Sequence, residues 1–149
     1  MSNDFPDLDN VVRVIFALYS TLSFNPPPRK FTVLAAFVLF EITTSNIKVI
    51  SLGTGSKCLP GVHLRNEGDR LHDFHAEIIA RRGATRWFME EASRACRSGP
   101  AGSLWLQRLA SGKFTLKNGV QCLLYVSTVP CKSVSLSSSL PPSSLPLRW

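Results

Sequence analysis

The run Phe31-Thr-Val-Leu-Ala-Ala-Phe-Val-Leu-Phe-Glu-Ile42 constrains the fold more than any other stretch, because it is apolar on both faces of a strand. A strand with one wet face alternates apolar and polar residues. One without that alternation belongs inside a sheet that helices cover on both sides. A second run, Ile47-Lys-Val-Ile-Ser-Leu52, follows after Thr43-Thr44-Ser45-Asn46, and the two read as paired strands. The longest wholly apolar part, Val33 to Phe40, falls well short of the roughly 20 residues that span a bilayer, so no membrane partner is expected.

Before these strands, Asp9 is placed to cap a helix over residues 10–22, with Val11, Val12, Ile15, Leu18, Tyr19 and Leu22 as its apolar stripe. Pro26-Pro27-Pro28 ends it. After the second strand, Gly53-Thr54-Gly55-Ser56-Lys57-Cys58 reads as a tight loop that is either a plain turn or a close approach to an anion. Its spacing fits neither a P-loop nor a dinucleotide fingerprint. A helix is predicted from His75 to about Ala95, with Ile79, Ala80, Gly83, Ala84, Trp87 and Phe88 on its apolar side. Residues 97–103 read as loop and 104–109 as a short helical or irregular piece. Lys113–Leu116 and Val120–Ser127 then read as a hairpin around Asn118-Gly119, whose second arm delivers Pro130-Cys131. Beyond Cys131 the composition turns to Ser, Pro and Leu without periodicity. Residues 1–131 are therefore expected to form one domain and residues 132–149 a low-complexity tail that does not pack.

At 149 residues the chain has enough sequence for one core. Its net charge of +7 lies wholly in residues 50–149, since residues 1–49 carry four acids and four bases. That surplus suits an anionic partner such as RNA phosphate, or simply a soluble basic face. The acidic start, Met1-Ser-Asn-Asp-Phe-Pro-Asp7, resembles neither a signal peptide nor a transit peptide. Together with the irregularly placed Cys58, Cys96, Cys122 and Cys131, it leads to an expectation of reduced thiols in the cytoplasm or nucleus.

The residues with chemistry sit in Asp73-Phe74-His75-Ala76-Glu77, at the start of the second predicted helix. A His two residues before a Glu suits a zinc-dependent deaminase centre. A neutral imidazole holds the metal, and a carboxylate that is not a ligand shuttles protons at the bound water. A lone triplet of this kind is usually only a pair of surface residues, so Pro130-Cys131 matters as a second signal. Deaminases of this class pair H-x-E with P-C-x-x-C.

Three strings in series resemble the editase domain of adenosine deaminases acting on RNA, most of all the tRNA-specific adenosine deaminases. They are Ser51-Leu-Gly-Thr-Gly-Ser-Lys-Cys58, Asp73-Phe-His-Ala-Glu-Ile-Ile-Ala-Arg-Arg82 and Leu124-Tyr-Val-Ser-Thr-Val-Pro-Cys131. The resemblance covers roughly residues 8–131. It implies an α/β class, cytidine-deaminase-like three-layer α/β/α fold with a mixed central sheet, incomplete at the C-terminus. It also implies that His75 and Cys131 are zinc ligands and Glu77 the proton shuttle. Lys57, Arg81 and Arg82 match positions that contact inositol hexakisphosphate, the second implied cofactor. RNA, in particular tRNA, is the implied partner, and DNA is not expected. This chain departs from the pattern in continuing Pro-Cys with Lys132-Ser133-Val134-Ser135 instead of Gly-Asp-Ala-Ser, in holding no cysteine after Cys131, and in having His72 where Asn is common. The second cysteine ligand is therefore missing. The leading expectation is an RNA adenosine deaminase that is inactive as written. The alternatives are a non-catalytic RNA- or inositol-phosphate-binding remnant of that family and an unrelated α/β scaffold.

Overall fold

The computed structural model describes residues 6–23, 32–56, 73–99 and 102–128. Helix α1 (Leu8–Thr21) comes first, then strands β1 (Leu34–Glu41) and β2 (Asn46–Thr54), helix α2 (Ala76–Ser98), and strands β3 (Leu106–Arg108), β4 (Phe114–Leu116) and β5 (Val120–Val126). The main sheet has the order β2-β1-β5, which puts the doubly apolar run in the centre as its pattern requires. Even-numbered positions of β1 (Leu34, Ala36, Val38) pack with Val11 and Ile15 of α1. Odd-numbered ones (Ala35, Phe37, Leu39) pack against Ala76, Ala80, Ala84, Trp87 and Phe88 of α2. The result is helix, sheet, helix in three layers.

Both ladders of this sheet are antiparallel, so among the described residues the expected mixed sheet is not formed. Because β1 runs against both neighbours, β2 and β5 point the same way and end at the same edge of the sheet. The β1–β2 register shifts between Phe37 and Val38, where Ser51 and Val49 are the successive partners. The extra residue, Ile50, is thereby turned into the α2-side core. Lys48, further along the same face, lies 5.7 Å from the centre of the Trp87 ring, covering the wet end of that layer.

The first helix starts earlier than its pattern implies, and its cap is Asp7 in place of Asp9. The Asp7 carboxylate accepts from Asp9 N at 3.1 Å, and the Asp7 carbonyl accepts from Val11 N at 3.0 Å. Asp9 instead lies in the first turn, where negative charge complements the helix dipole. The buried stripe is also narrower than expected. Val11 and Ile15 are buried, whereas Leu18 and Leu22 are exposed.

The expected hairpin of Lys113–Leu116 with Val120–Ser127 does not form. β5 pairs with β1 over seven residues, and β4 pairs with β3, in the segment expected to be helical or irregular. The turn is present, closed by Val120 N donating to Lys117 O at 3.0 Å. Only Gly119 has positive φ there, at 80°. A two-residue type I′ hairpin needs positive φ at both central positions, so this turn sends β4 and β5 into different sheets. Upstream, Ser103 Oγ accepts from Trp105 N at 3.1 Å and Leu106 N at 3.0 Å, which turns the chain into β3 and buries Trp105 beside Leu39 and Ala84.

Among the described residues no helix is long and apolar enough to cross a membrane. The Pro26–Pro28 stop, Lys57, Cys58, Pro130, Cys131 and the whole of 132–149 lie outside the described residues.

Candidate active site

Small residues bring α2 onto the sheet and fix where its first turn falls. An added Cβ at Gly53 would press into Ala76 O and lie 2.6 Å from Ala80 N, and one at Gly83 would lie 2.9 Å from Ser51 Cβ. Ser51 Oγ donates to Ala80 O at 2.7 Å, a direct tether between strand and helix. Gly53 is therefore part of β2, not of the loop that its sequence suggested. Its lack of a side chain serves helix–strand contact and not an anion. Gly55 is needed for both space and conformation, with φ at +153° and the Phe74 carbonyl where a Cβ would go.

Hydrogen bonds then gather three segments at one edge of the sheet. Gly55 N donates to Val33 O at 3.1 Å, and Ala76 N to Gly55 O at 3.0 Å. On the other side of β1, Ser127 N donates to Leu34 O at 2.8 Å and Leu34 N donates to Ser127 Oγ at 3.0 Å. The start of α2 and the exit of β5 are thus both pinned to Val33-Leu34. Two strand spacings separate β2 from β5, about 10 Å.

His75 is the N-cap residue of α2, and its carbonyl accepts from Ile78 N and Ile79 N at 3.0 and 3.1 Å. Its side chain does not cap the helix. The carboxylate of Asp73 accepts from His75 N at 2.9 Å and faces His75 Nδ1 at 2.8 Å. The backbone N–H of His75 holds the Asp73 carboxyl below its ordinary value of 3.8, opposed by desolvation and helped by the His75 ring and Arg82. Asp73 thus faces the ring as a carboxylate acceptor, a contact that favours the proton on Nδ1. Asp73 had no assigned role in the sequence reading. The spacing that could have revealed it is that of an Asx turn, in which Asp bonds the backbone N–H two residues on.

Glu77, partly buried, lies in the first turn of α2, where its charge is favoured by the helix N-terminus. Arg81 follows one turn later and is exposed. Arg82, also exposed, donates from Nη1 to the Asp73 carbonyl at 3.3 Å. Of the residues singled out by sequence, the structure therefore brings His75, Glu77, Arg81 and Arg82 together at one end of α2. Lys57 and Cys131 lie outside the described residues.

Among the described residues no group of three or more His, Cys, Asp and Glu side chains could hold a metal. What is described fits one corner of a zinc site. Metal-binding histidines ordinarily donate their other ring N–H to a carboxylate, and His75 Nδ1 faces the Asp73 carboxylate at the distance such a bond needs. Cys122 does not fit as a further ligand. It pairs with Leu39, four residues and about 13 Å before the end of β5. Although the residue as a whole is exposed, desolvation pushes its thiol up to about 11, away from the thiolate a metal needs.

Residues 51–145 match the adenosine-deaminase (editase) domain family, a span that runs past Cys131 into the Ser/Pro-rich segment. The chain is 37% identical over 111 residues to tRNA-specific adenosine deaminase 1 of Schizosaccharomyces pombe, covering 72% of this chain and 28% of that protein. It is 34% identical over 111 residues to the double-stranded RNA-specific adenosine deaminase of Rattus norvegicus, covering 74% of this chain and 9% of that one. To the double-stranded RNA-specific editase Adar of Drosophila melanogaster it is 35% identical over 109 residues, covering 71% and 16%. It thus spans less than a third of the length of each of these relatives. The family match, covering the end of β2, the start of α2 and the exit of β5, shows that the chain belongs to the adenosine-deaminase (editase) domain family.

Proposed function

We propose that these residues are the N-terminal part of an RNA adenosine deaminase domain of cytidine-deaminase-like architecture, which converts adenosine to inosine in tRNA when the domain is whole. The observation that carries the reading is the pinning of both the His75 helix start and the exit of β5 to Val33-Leu34. From Ser127, four residues of extended chain span up to about 13 Å, enough for Cys131 to reach across the roughly 10 Å between β5 and β2. The relatives named above act on tRNA or double-stranded RNA by their names, which supports RNA as partner.

In this reading His75 and Cys131 would hold zinc, which when bound supplies a Lewis acid that makes water a nucleophile at neutral pH. Asp73 fixes the His75 ring. Glu77, on the first turn of α2, takes a proton from the attacking water and returns it to the adenine. Arg81 and Arg82 would meet phosphate, of RNA or of inositol hexakisphosphate, with Lys57 as a third contact.

Catalytic zinc ordinarily has three protein ligands and an open position, and the 149 residues offer no cysteine after Cys131. The chain by itself is therefore expected to be inactive. The test is inosine formation in tRNA by the 149-residue chain and by residues 1–131 joined to the downstream deaminase sequence of the S. pombe relative. The joined protein should turn over and lose activity with Glu77→Ala, while the chain alone stays at background. A joined protein that folds and binds zinc but forms no inosine would refute the reading. A second reading, an RNA- or inositol-phosphate-binding remnant, is favoured by the exposure of Arg81 and Arg82. It predicts zinc-independent binding of inositol hexakisphosphate or tRNA that weakens in the Arg81→Ala, Arg82→Ala double variant.

A further inference from the structure

We infer that β5 is a self-association edge, along which a second copy of this chain adds its own β5 antiparallel and joins two three-stranded sheets into one. The hydrogen bonds of the sheet identify the groups on offer. Ser127 N donates to Leu34 O at 2.8 Å and Ile42 N donates to Gly119 O at 2.9 Å, so odd-numbered residues from 119 to 127 turn their backbone groups towards β1. Even-numbered ones turn theirs the other way. Cys122, Leu124 and Val126 thus present N–H and C=O along an edge that no described strand pairs. Apolar side chains lie open beside that edge on both faces. Cys122 is exposed and Leu124 is 50% exposed, opposite Leu39 and Phe37 on the side of α2, a helix that packs on β2 and β1 and hardly reaches β5. On the other face Phe16, 46% exposed, meets Tyr125 edge-on with 6.3 Å between ring centres.

The two edges of this sheet are unlike. β2, at the other edge, carries Lys48 and the bulge at Ile50, both of them devices that keep an edge strand from pairing. β5 has neither. Its ladder with β1 is regular over seven residues, and from Asn118 to Val129 the sequence holds no charged residue and no proline. Such a strand pairs readily with another open edge, and a second copy is the occupant whose pattern matches it. Antiparallel pairing about a two-fold axis at Leu123 overlaps the whole of Val120–Val126 and sets Cys122 opposite Leu124 of the second copy. Both residues bond outward, so donors meet acceptors. The same axis keeps the two α2 helices on one side of the joined sheet, and the two Leu124 side chains become diagonal neighbours between them. Lys117, the nearest charge before β5, falls at opposite ends of the seam in the two copies, so like charges do not meet there. The pairing uses up the β5 edge of both copies, and assembly therefore closes at two.

The test is light scattering of the 149-residue chain across a concentration series, with amide hydrogen exchange read in parallel. The expected result is a concentration-dependent dimer in which the outward amides of Cys122, Leu124 and Val126 become protected as the dimer forms. Leu124→Lys, at a position outside the packed clusters, should weaken the dimer at least about 10-fold and leave unfolding of the monomer unchanged. Leu123 meets its own counterpart across the axis in a non-hydrogen-bonded pair, with Cα atoms about 4.5 Å apart, so Leu123→Cys should cross-link the two copies through that residue under mild oxidation. The exchange pattern of the unaltered chain keeps the test valid if a variant fails to fold. A chain that stays monomeric at every concentration overturns the proposal. So does a monomer whose three outward amides are already protected, since another segment of the same chain then covers the edge. A dimer that Leu124→Lys leaves intact, or growth beyond two copies, overturns it as well, because the interface then lies elsewhere or does not close.

Discussion

Gly53→Ala is the substitution that most sharply tests how the site is built. The new Cβ would press on Ala76 O and lie 2.6 Å from Ala80 N, with Ile79 Cβ at 3.1 Å. The first two are backbone atoms of a helix whose position is fixed by the Ser51–Ala80 hydrogen bond, so no side chain can swing aside to relieve them. Overpacking typically costs about 1–3 kcal/mol, and rigid partners place this case near 3. Against that, Ala restricts the unfolded chain and returns about 0.4–1 kcal/mol. The net loss is about 2 kcal/mol, a large share of the roughly 5–15 kcal/mol that holds a domain together. With a urea m value of about 1.5 kcal/mol/M, the unfolding midpoint should fall by about 1.3 M. Amide resonances of His75 and Glu77 should shift in the same variant, because relief of the clash lifts the first turn of α2. Gly99→Ala is the control. Among the described residues its added Cβ meets nothing within 4 Å, so its cost is the strain of its positive φ, 77°. A Gly53→Ala midpoint within about 0.2 M of wild type would refute the claim that close helix–strand contact seats the site.

Three further outcomes are expected. Ser103→Ala removes the hydroxyl that donates to the buried Glu91 at 2.6 Å and accepts from two backbone amides, and thermal unfolding should show a loss of about 2–3 kcal/mol. Ile15→Ala opens a cavity between α1 and the sheet at a fully buried position, with a loss of about 2–5 kcal/mol by urea denaturation and little change at the His75 resonances. Cys122, its thiol raised to about 11, should alkylate with iodoacetamide at pH 8 much more slowly than the exposed Cys96, as peptide mass mapping would show.

The parts of the fold that sequence revealed are those specified locally. The double-faced apolar run had to be central, the small residues along α2 had to face something close, and the His-Ala-Glu triplet fell at a helix start. Strand partnership was not legible in the same way. Phe114–Leu116 and Val120–Val126 are both good strands next to a good turn dipeptide, and the turn's geometry together with β1's need for a second neighbour decides that they part company. Glu91 escaped notice for a related reason. A carboxylate in a helical pattern reads as surface, and its burial at 3% exposure depends on Ser103, twelve residues on, and on its ion pair with Arg94. At the site, His75 and Glu77 were visible as residue types. The Asp73 contact was not, because it depends on the turn geometry that lays Phe74 against Gly55.

The most direct measurement of the central claim, that His75 and Cys131 meet at one metal, is a cobalt titration of the 149-residue chain followed by absorption. Cobalt stands in for zinc and reports a bound thiolate by a charge-transfer band. The band should appear with wild type, vanish in both His75→Ala and Cys131→Ser, and persist in Cys96→Ser and Cys122→Ser. A band that survives Cys131→Ser, or that ignores His75→Ala, would contradict the placement of the two residues at a shared site.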